Sequence, residues 1–187
     1  MSITVLNPGL LTTVQDQGRV GYQQFGVSVS GVMDPRSAAL ANILAGNDQG
    51  EAVLECTMMG PQLQFDKANV IAITGGDLGP TLDGKAVPNY QAVAVKAGQV
   101  LKFTAPKTGC RAFIAFSGGL DIPLAMGSRS TDLKAKLGGL QGRRLEKGDA
   151  IEHRTFGKGM VLSVRPMGGD ALIEVAFDGV GTKKLML

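Results

Sequence analysis

The residues best suited to chemistry lie in glycine-punctuated stretches of the second half of the chain. Residues 127–131 read Gly-Ser-Arg-Ser-Thr, and residues 138–144 add three glycines and two arginines. Hydroxyls, backbone amides and guanidinium groups all suit carboxylate or phosphate oxygens, so these stretches predict an anion site that includes Arg129. Their spacing does not match the phosphate-binding Gly-x-x-x-x-Gly-Lys-[Ser/Thr] loop. Alternatively, Arg129 and Arg143 bind carbonyl oxygens and brace the loops, and the sequence leaves both interpretations open.

Two earlier segments carry ionisable groups beside glycines. We refer to residues 15–19, 30–34 and 127–131 as the first, second and third loops. A carboxylate can carry a proton and a guanidinium can bind an anion, so Asp16 and Asp34 are candidates for proton handling and Arg19 for anion recognition. The polar sequence around the first loop is typical of a surface loop whose Thr and Asp side chains satisfy their own backbone, and that interpretation is favoured. A loop that lines a pocket is the alternative.

A short helix is predicted directly after the second loop. Asp34 suits the N-cap, Pro35 the first helical position and Gly46 the C-terminal end. Apolar residues recur at helical spacing on one side, which predicts that this side packs against a sheet. These residues are Ala39, Leu40, Ile43 and Leu44. A helix placed in this way would cover a barrel and hold the second loop rigid.

The rest of the chain has the punctuation of a β protein. Residues 3–6 begin a strand, and residues 70–74 are apolar on both faces, as in a buried central strand. Asp83-Gly84 predicts a hairpin. Glu55 lies in an apolar strand, where a carboxylate either faces solvent at an edge or is buried with a partner. Lone strand carboxylates are usually solvated, so we expect Glu55 to face solvent.

Composition narrows the classes of protein. The chain has 187 residues with 27 glycines and 8 prolines, which suits a mainly β domain with a small appendage. A net charge of +3 without a dense basic run argues against direct binding of nucleic acid. Apolar runs are too short to span a bilayer, which predicts a soluble protein with no membrane partner. Cys56 and Cys110, with no signal peptide before them, indicate reduced thiols and a cytoplasmic location.

Residues 148–187 form a separate pattern. Four short strands alternate with glycine-rich turns, which predicts a miniature barrel. Acidic and basic residues balance in this segment, so it is no electrostatic clamp for nucleic acid. His153 is the only histidine and has no cluster of metal-ligating residues at suitable spacing. We predict a surface or strand-end position for His153 and no metal site.

Several motifs, taken together and in order, resemble one protein family. They are Asn7-Pro8-Gly9, Thr12-Thr13-Val14-Gln15-Asp16, Gly18-Arg19, Ser30-Gly31-Val32-Met33-Asp34, Ala41-Asn42, Leu54-Glu55, Ser117-Gly118-Gly119 and Gly127-Ser128-Arg129-Ser130-Thr131. They resemble the opening half of the C-type subunit of 5-oxoprolinase, whose family is also described as allophanate hydrolase subunit 2-like and biotin-dependent carboxyltransferase-like. The resemblance covers residues 1–149.

This resemblance implies a fold and a function. The implied fold is a cyclophilin-like β-barrel with one short helix. The implied activity is ATP-dependent hydrolysis of 5-oxoproline to glutamate together with partners that resemble the A-type and B-type subunits of 5-oxoprolinase, or carboxyl transfer from carboxybiotin in related urea carboxylases. ATP would be bound by a partner, and biotin would be involved only in the carboxyltransferase case. No cofactor is assigned to this chain itself.

The resemblance also points to the three loops as walls of a pocket for a small amide or carboxylate substrate. Asp16 and Asp34 are the candidate catalytic residues, and no metal ligand is expected. The candidate substrate-binding residues are Gln15, Arg19, Ser30, Gly31, Met33, Gly127, Ser128, Arg129, Ser130 and Thr131.

The tail resembles a different family. Residues 148–187 are similar to the C-terminal Tudor-like barrel, a small SH3-like fold, of UvrD/PcrA-type DNA helicases, a module whose partners include RNA polymerase. This implies a carboxyltransferase-like domain over residues 1–147 and a Tudor-like domain over residues 148–187. The alternative function is then a non-catalytic binding module, either an antagonist of a kinase inhibitor or an adaptor associated with RNA polymerase.

Overall fold

A computed structural model describes residues 2–153, 159–167, 170–177 and 181–186 of the chain. In this part of the chain one α-helix accompanies fourteen β-strands, which confirms the mainly β class. The helix α1 spans Pro35–Leu44, and a single turn of 3₁₀ helix spans Gln23–Phe25. The strands are β1 (Ser2–Asn7), β2 (Leu11–Gln15), β3 (Val53–Thr57), β4 (Gln62–Phe65), β5 (Asn69–Asp77), β6 (Pro80–Leu82), β7 (Lys85–Ala86), β8 (Ala92–Val95), β9 (Val100–Phe103), β10 (Thr108–Phe116), β11 (Ala150–Glu152), β12 (Gly159–Met167), β13 (Asp170–Phe177) and β14 (Gly181–Met186).

The strands form three antiparallel sheets. One sheet has the order β11-β1-β4-β9-β6-β7, a second has the order β2-β3-β10-β5-β8, and a third has the order β12-β13-β14. The pairings among the described strands leave these sheets open rather than closed into barrels. The predicted hairpin at Asp83-Gly84 connects β6 to β7, and the predicted central strand β5 lies between β10 and β8.

The strand β11 belongs to the six-stranded sheet. Its residue Ile151 lies opposite Ile3 of β1. The first of the four strands predicted for the tail is therefore part of the larger fold and lies beyond residue 147. His153 follows β11, forms a bridge with Leu120 and is only 4% exposed, so it lies at a strand end as predicted but not at the surface.

The five-stranded sheet has two different faces because successive side chains of a strand point to opposite sides. One face carries Val14, Leu54 and Ile114, which join residues of the six-stranded sheet such as Val5 and Leu63 in a single buried core. The opposite face carries the residues between them in sequence. The prediction of a polar surface loop is thus wrong for residues 11–15, which are a strand with one face in the core.

Local backbone chemistry defines both ends of α1. Asp34 is the N-cap, and its Oδ1 accepts hydrogen bonds from the amides of Arg36 and Ser37, each at 3.1 Å. At the other end Gly46 has a φ of 76°, in the left-handed region, and its amide donates to the carbonyl of Ile43 at 3.0 Å. The amide of Asn47 donates to the carbonyl of Asn42 at 2.8 Å, which completes a Schellman motif. Both predicted helix boundaries are therefore explained by capping.

The buried face of α1 differs from the predicted face. Ala38 and Ala41 are at most 2% exposed, whereas Leu40 is 39% and Ile43 50% exposed. The alanines pack in a cluster with side chains of the five-stranded sheet, among them Phe113. Small side chains let the helix axis lie close to the sheet, and larger ones would hold it away. The prediction failed because it assigned the largest apolar residues to the interface.

We expect a larger side chain at this interface to destabilise the protein. Ala41→Leu should lower the free energy of unfolding by about 1–3 kcal/mol because the added atoms have no space between helix and sheet. Ile43→Ala should change it by about 0.5 kcal/mol, since that side chain is half exposed. Chemical denaturation of both variants measures the difference. A larger loss in Ile43→Ala than in Ala41→Leu would contradict the observed helix orientation.

Candidate functional site

A pocket of about 380 Å³ lies on the face of the five-stranded sheet that points away from the core. Register explains its position, because Leu11, Thr57 and Arg111 lie side by side on β2, β3 and β10, and Thr13 lies beside Glu55. The second loop and the end of the third loop form its sides. The lining residues are Leu11, Thr13, Gln15, Ser30, Gly31, Met33, Glu55, Thr57, Arg111, Thr131, Asp132, Leu133 and Lys134.

Glu55 and Arg111 form an ion pair in the floor of the pocket. Arg111 Nη1 donates to Glu55 Oε1 at 2.6 Å and to Thr57 Oγ1 at 3.0 Å. The amide of Met33 donates to Glu55 Oε2 at 2.9 Å. Glu55 is 5% exposed, so the expectation that it faces solvent is wrong, and the alternative of burial with a partner is what the structure shows. The buried carboxylate is tolerated because both of its oxygens have donors.

Asp16 lies behind the pocket and joins the three loops. Its Oδ1 accepts hydrogen bonds from the hydroxyls of Ser128 and Ser130, both at 2.6 Å. Its Oδ2 accepts from the amide of Arg129 at 2.5 Å, and Oδ1 also accepts from the amide of Gly18 at 2.8 Å. The backbone carbonyl of Asp16 accepts from the amide of Val32 in the second loop at 2.9 Å. One residue therefore connects all three loops.

These contacts keep Asp16 ionised. Burial by itself would raise the pKa of the carboxyl group, but the hydrogen bonds from Ser128, Ser130 and the backbone outweigh it and hold the pKa below its ordinary value of 3.8. A carboxylate with a low pKa and four donors is well suited to hold loops in place. The predicted role of Asp16 in proton handling is not tested by this geometry and stays a prediction.

Gln15 connects the second and third loops at the pocket wall. Its Oε1 accepts from the amide of Gly31 at 3.2 Å, and its Nε2 donates to the carbonyl of Thr131 at 3.2 Å and to Thr13 Oγ1 at 3.0 Å. Thr131 Oγ1 donates to the carbonyl of Val14 in β2 at 2.9 Å. The strand β2 thus fixes the position of both loops.

The two arginines predicted to recognise an anion bind carbonyl groups instead. Arg19 is 1% exposed, and its Nη2 and Nε donate to the carbonyls of Ser130 and Ala125, the latter at 3.4 Å. Arg129 Nε donates to the carbonyl of Ile122 at 2.9 Å. Bracing of the loops, the alternative considered for Arg129, describes these contacts, and it applies to Arg19 as well.

Arg143 makes a similar structural contact. Its guanidinium forms two hydrogen bonds with Asp149, at 2.8 and 2.9 Å, and donates to the carbonyl of Arg144 at 3.0 Å. The hydrogen bonds from Arg143 hold the pKa of Asp149 below its ordinary value. Arg143 does not line the pocket.

The predicted site residues therefore divide into two groups. Gln15, Ser30, Gly31, Met33 and Thr131 line the pocket, while the remaining seven lie behind or beside it. Those seven are Asp16, Arg19, Asp34, Gly127, Ser128, Arg129 and Ser130.

Asp34 has a clear local role. It is exposed at the start of α1, where its Oδ2 accepts from the Ser37 hydroxyl at 2.5 Å. The hydrogen bonds from Ser37 hold the pKa of Asp34 below its ordinary value. Its predicted catalytic role stays a prediction.

Gly138 explains how Arg19 is enclosed. Its φ of 68° is in the left-handed region, and a Cβ there would lie 2.1 Å from the carbonyl oxygen of Ser130 and 2.5 Å from Arg19 Nη2. Only glycine allows the 138–144 segment to pack directly on the third loop. The glycine at this position, which suggested an anion site, thus serves close backbone packing.

Sequence reasoning did not include four charged residues of the pocket among the site residues: Glu55, Arg111, Asp132 and Lys134. For Glu55 the signal was a carboxylate inside an apolar strand. Asp132 shows a cap-like pattern, since its Oδ1 accepts from the amides of Lys134 and Ala135, both at 3.0 Å. Arg111 is a polar position on β10 whose partner becomes visible only once β3 and β10 are paired.

The described residues limit other classes of site. Within residues 2–153 and the three described tail segments, no group of three or more His, Cys, Asp or Glu side chains could hold a metal ion. Cys56 and Cys110 are unpaired, and burial raises the pKa of the Cys56 thiol to about 12. The helix found in the described residues is not long and apolar enough to cross a membrane.

Two family models match the chain. The carboxyltransferase domain, subdomain A and B, matches residues 25–166. The PcrA/UvrD tudor domain matches residues 148–187, so the two matches overlap over residues 148–166.

Three relatives show how far the similarity extends. The C-type subunit of 5-oxoprolinase from Escherichia coli is 40% identical over 149 residues, which are 80% of this chain and 48% of that protein. Urea amidolyase of Saccharomyces cerevisiae is 43% identical over 80% of this chain and 8% of that protein. The crystal structure of Kluyveromyces lactis urea amidolyase superimposes with a TM-score of 0.78 at 41% identity, covering 80% of this chain and 9% of that one. The chain thus spans about half the length of the bacterial relative and a small part of the yeast proteins.

The network around Asp16 predicts a stability change that depends on pH. Asp16→Asn should lower the free energy of unfolding by about 2–3 kcal/mol at neutral pH, because an amide replaces an ionised acceptor of two hydroxyls and two amides. The folded-state pKa is lowered, so the stabilisation is complete well above pH 3.8 and is lost as the pH falls through the folded-state value. Denaturation curves at several pH values measure how the difference between wild type and variant shrinks.

Asp48→Asn is the matched control for this prediction. Asp48 is exposed, and its side chain has no hydrogen bond to a described residue, so we expect a change of about 0.5 kcal/mol or less. Equal effects of the two substitutions, or an Asp16→Asn effect that grows as the pH falls below 3.8, would contradict the role assigned to Asp16.

Proposed function

Because this chain belongs to the family of carboxyltransferase domains with subdomains A and B, we propose that it is part of a biotin-dependent carboxylase or 5-oxoprolinase-like complex. Its pocket holds a small amide or carboxylate substrate. The observation that carries the proposal is the convergence of the second and third loops on one polar pocket over the outer face of the five-stranded sheet. Substrate sites are commonly concave, of a few hundred Å³, and lined by a few fixed polar groups.

The proposed complex supplies what this chain does not. The pocket lining contains hydroxyls, an amide and charged groups, but no cysteine or histidine nucleophile among the described residues. We propose that proteins like the A-type and B-type subunits of 5-oxoprolinase complete the site, with ATP bound by a partner and biotin carried by a partner in the carboxyltransferase case. The length comparison supports this, since the chain covers 48% of the bacterial C-type subunit.

The contribution of this chain is substrate positioning. Asp16 and Gln15 fix the loops, and the Glu55 and Arg111 pair fixes the floor of the pocket. Preorganised polar groups of this kind lower the cost of orienting a substrate for reaction. Proton handling by Asp16 or Asp34 is not part of the proposal.

The activity test combines this chain with its proposed partners. With the A-type and B-type partner proteins, ATP and 5-oxoproline, we expect release of glutamate that depends on this chain. A parallel assay follows loss of carboxybiotin in the presence of urea. Failure of both reactions with folded, associated proteins would contradict the proposal.

Two leucines provide a matched pair for the pocket. Leu133→Trp enlarges a 47% exposed residue of the lining and should reduce kcat/KM about tenfold or more by narrowing the pocket. Leu124→Trp enlarges a 59% exposed residue outside the lining and should leave kcat/KM within about twofold. Equal activity of both variants would place the substrate elsewhere.

The match to the PcrA/UvrD tudor domain favours a second function for the tail. We propose that the tail is a protein-binding module, with RNA polymerase as one candidate partner and a kinase inhibitor as the target of the whole chain in the non-catalytic case. The pairing of β11 with β1 moves the proposed domain boundary from residue 147 to the residues after His153. A pull-down that recovers neither the B-type partner of 5-oxoprolinase nor RNA polymerase would contradict this second function.

A further inference from the structure

We propose that Arg111 is the residue with which the pocket recognises an oxyanion of its ligand. The motifs of the chain point to Arg19 and Arg129 for this task, and both are engaged with carbonyl groups. The proposal rests on the proposed function in one respect, because it takes the pocket of the five-stranded sheet as the ligand site.

The contacts of Arg111 leave part of its guanidinium available. Only Nη1 is engaged, with Glu55 and Thr57, while Nε and Nη2 have no hydrogen-bond partner among the described residues. The side chain is 33% exposed and lines the pocket. An arginine held at one nitrogen keeps a fixed orientation, and its remaining N–H groups can bind a planar oxyanion.

The acidic residues of the pocket do not cancel this charge. Both oxygens of Glu55 accept hydrogen bonds, from Arg111 and from the amide of Met33. Both oxygens of Asp132 also accept, Oδ1 from two backbone amides and Oδ2 from the hydroxyl of Ser28. Lys134, at the rim, has no ion pair with any residue in the described segments. The uncommitted charge of the pocket is therefore positive.

The hydroxyls of the lining add donors of the same kind. Thr13 Oγ1 accepts from Gln15, Thr57 Oγ1 accepts from Arg111 and Ser30 Oγ accepts from Arg19. None of these three hydroxyls donates to a described residue, so each can turn its hydrogen toward a ligand. A pocket with free donors and occupied acceptors selects a ligand that is rich in acceptors, such as a small carboxylate with a second carbonyl oxygen.

The test compares a carboxylate with its uncharged counterpart. 5-oxoproline and 5-oxoprolinamide are titrated into the full chain, and binding is followed by the NMR shifts of the backbone amides of Gly31 and Thr131 in the pocket wall. We expect Arg111→Gln to weaken binding of the carboxylate about tenfold or more and binding of the amide less than about twofold. Arg111→Lys should have an intermediate effect, because it keeps the charge and loses the planar fork.

Arg143→Gln is the matched control. Arg143 has a side-chain exposure of 30% and an ion pair with Asp149, close to the 33% and the Glu55 pair of Arg111, but it lies outside the pocket. It should leave binding of both ligands unchanged. Because Arg111→Gln leaves Glu55 without its cation, the double variant Glu55→Gln/Arg111→Gln is measured alongside it, and it should show the same selective loss of carboxylate binding.

The outcomes separate this proposal from the proposed function. Equal binding of carboxylate and amide by wild type, unchanged binding in Arg111→Gln, or no shift at Gly31 and Thr131 would overturn the role of Arg111. In the assembled complex, turnover of 5-oxoproline with an unchanged KM in Arg111→Gln would overturn it while leaving the proposed function intact. Selective carboxylate binding without turnover would contradict the proposed function and support the role of Arg111.

Discussion

The site depends on the buried carboxylate of Asp16. It accepts hydrogen bonds from two serine hydroxyls and two backbone amides, and the backbone carbonyl of the same residue accepts from the second loop. Unsatisfied, these donors would be costly to bury, so the folded chain gains most when all three loops meet at this one residue. The position of the pocket wall follows from that constraint, because Gln15 and Gly31 adjoin the same network.

The sheet gives the network a rigid support. Alternation along β2 sends Val14 into the core and Thr13 and Gln15 to the outer face, and pairing with β3 and β10 places Glu55 and Arg111 beside them. The alanine face of α1 packs on another part of that outer surface. The pocket thus lies where the helix leaves the sheet uncovered, and the second loop, which leads into the helix, forms its edge.

Local chemistry in the sequence was sufficient to predict the ends of α1, since Asp34 and Gly46 act on backbone groups next to them. Its buried face could not be predicted in the same way, because the closeness of the helix to the sheet decides whether alanine or leucine fits. The roles of Arg19 and Arg111 were also out of reach. Both side chains carry the same charge, and only the folded chain shows that one meets carbonyl groups and the other a pocket.

The central claim is that one carboxylate holds the three loops together, and amide hydrogen exchange tests it most directly. In wild type the amides of Gly18, Val32 and Arg129, one in each loop, should exchange slowly. In Asp16→Asn all three should exchange faster together, while amides of β5 and β10 keep their protection. Faster exchange at only one of the three, or at none, would show that the loops are held independently and would contradict the account.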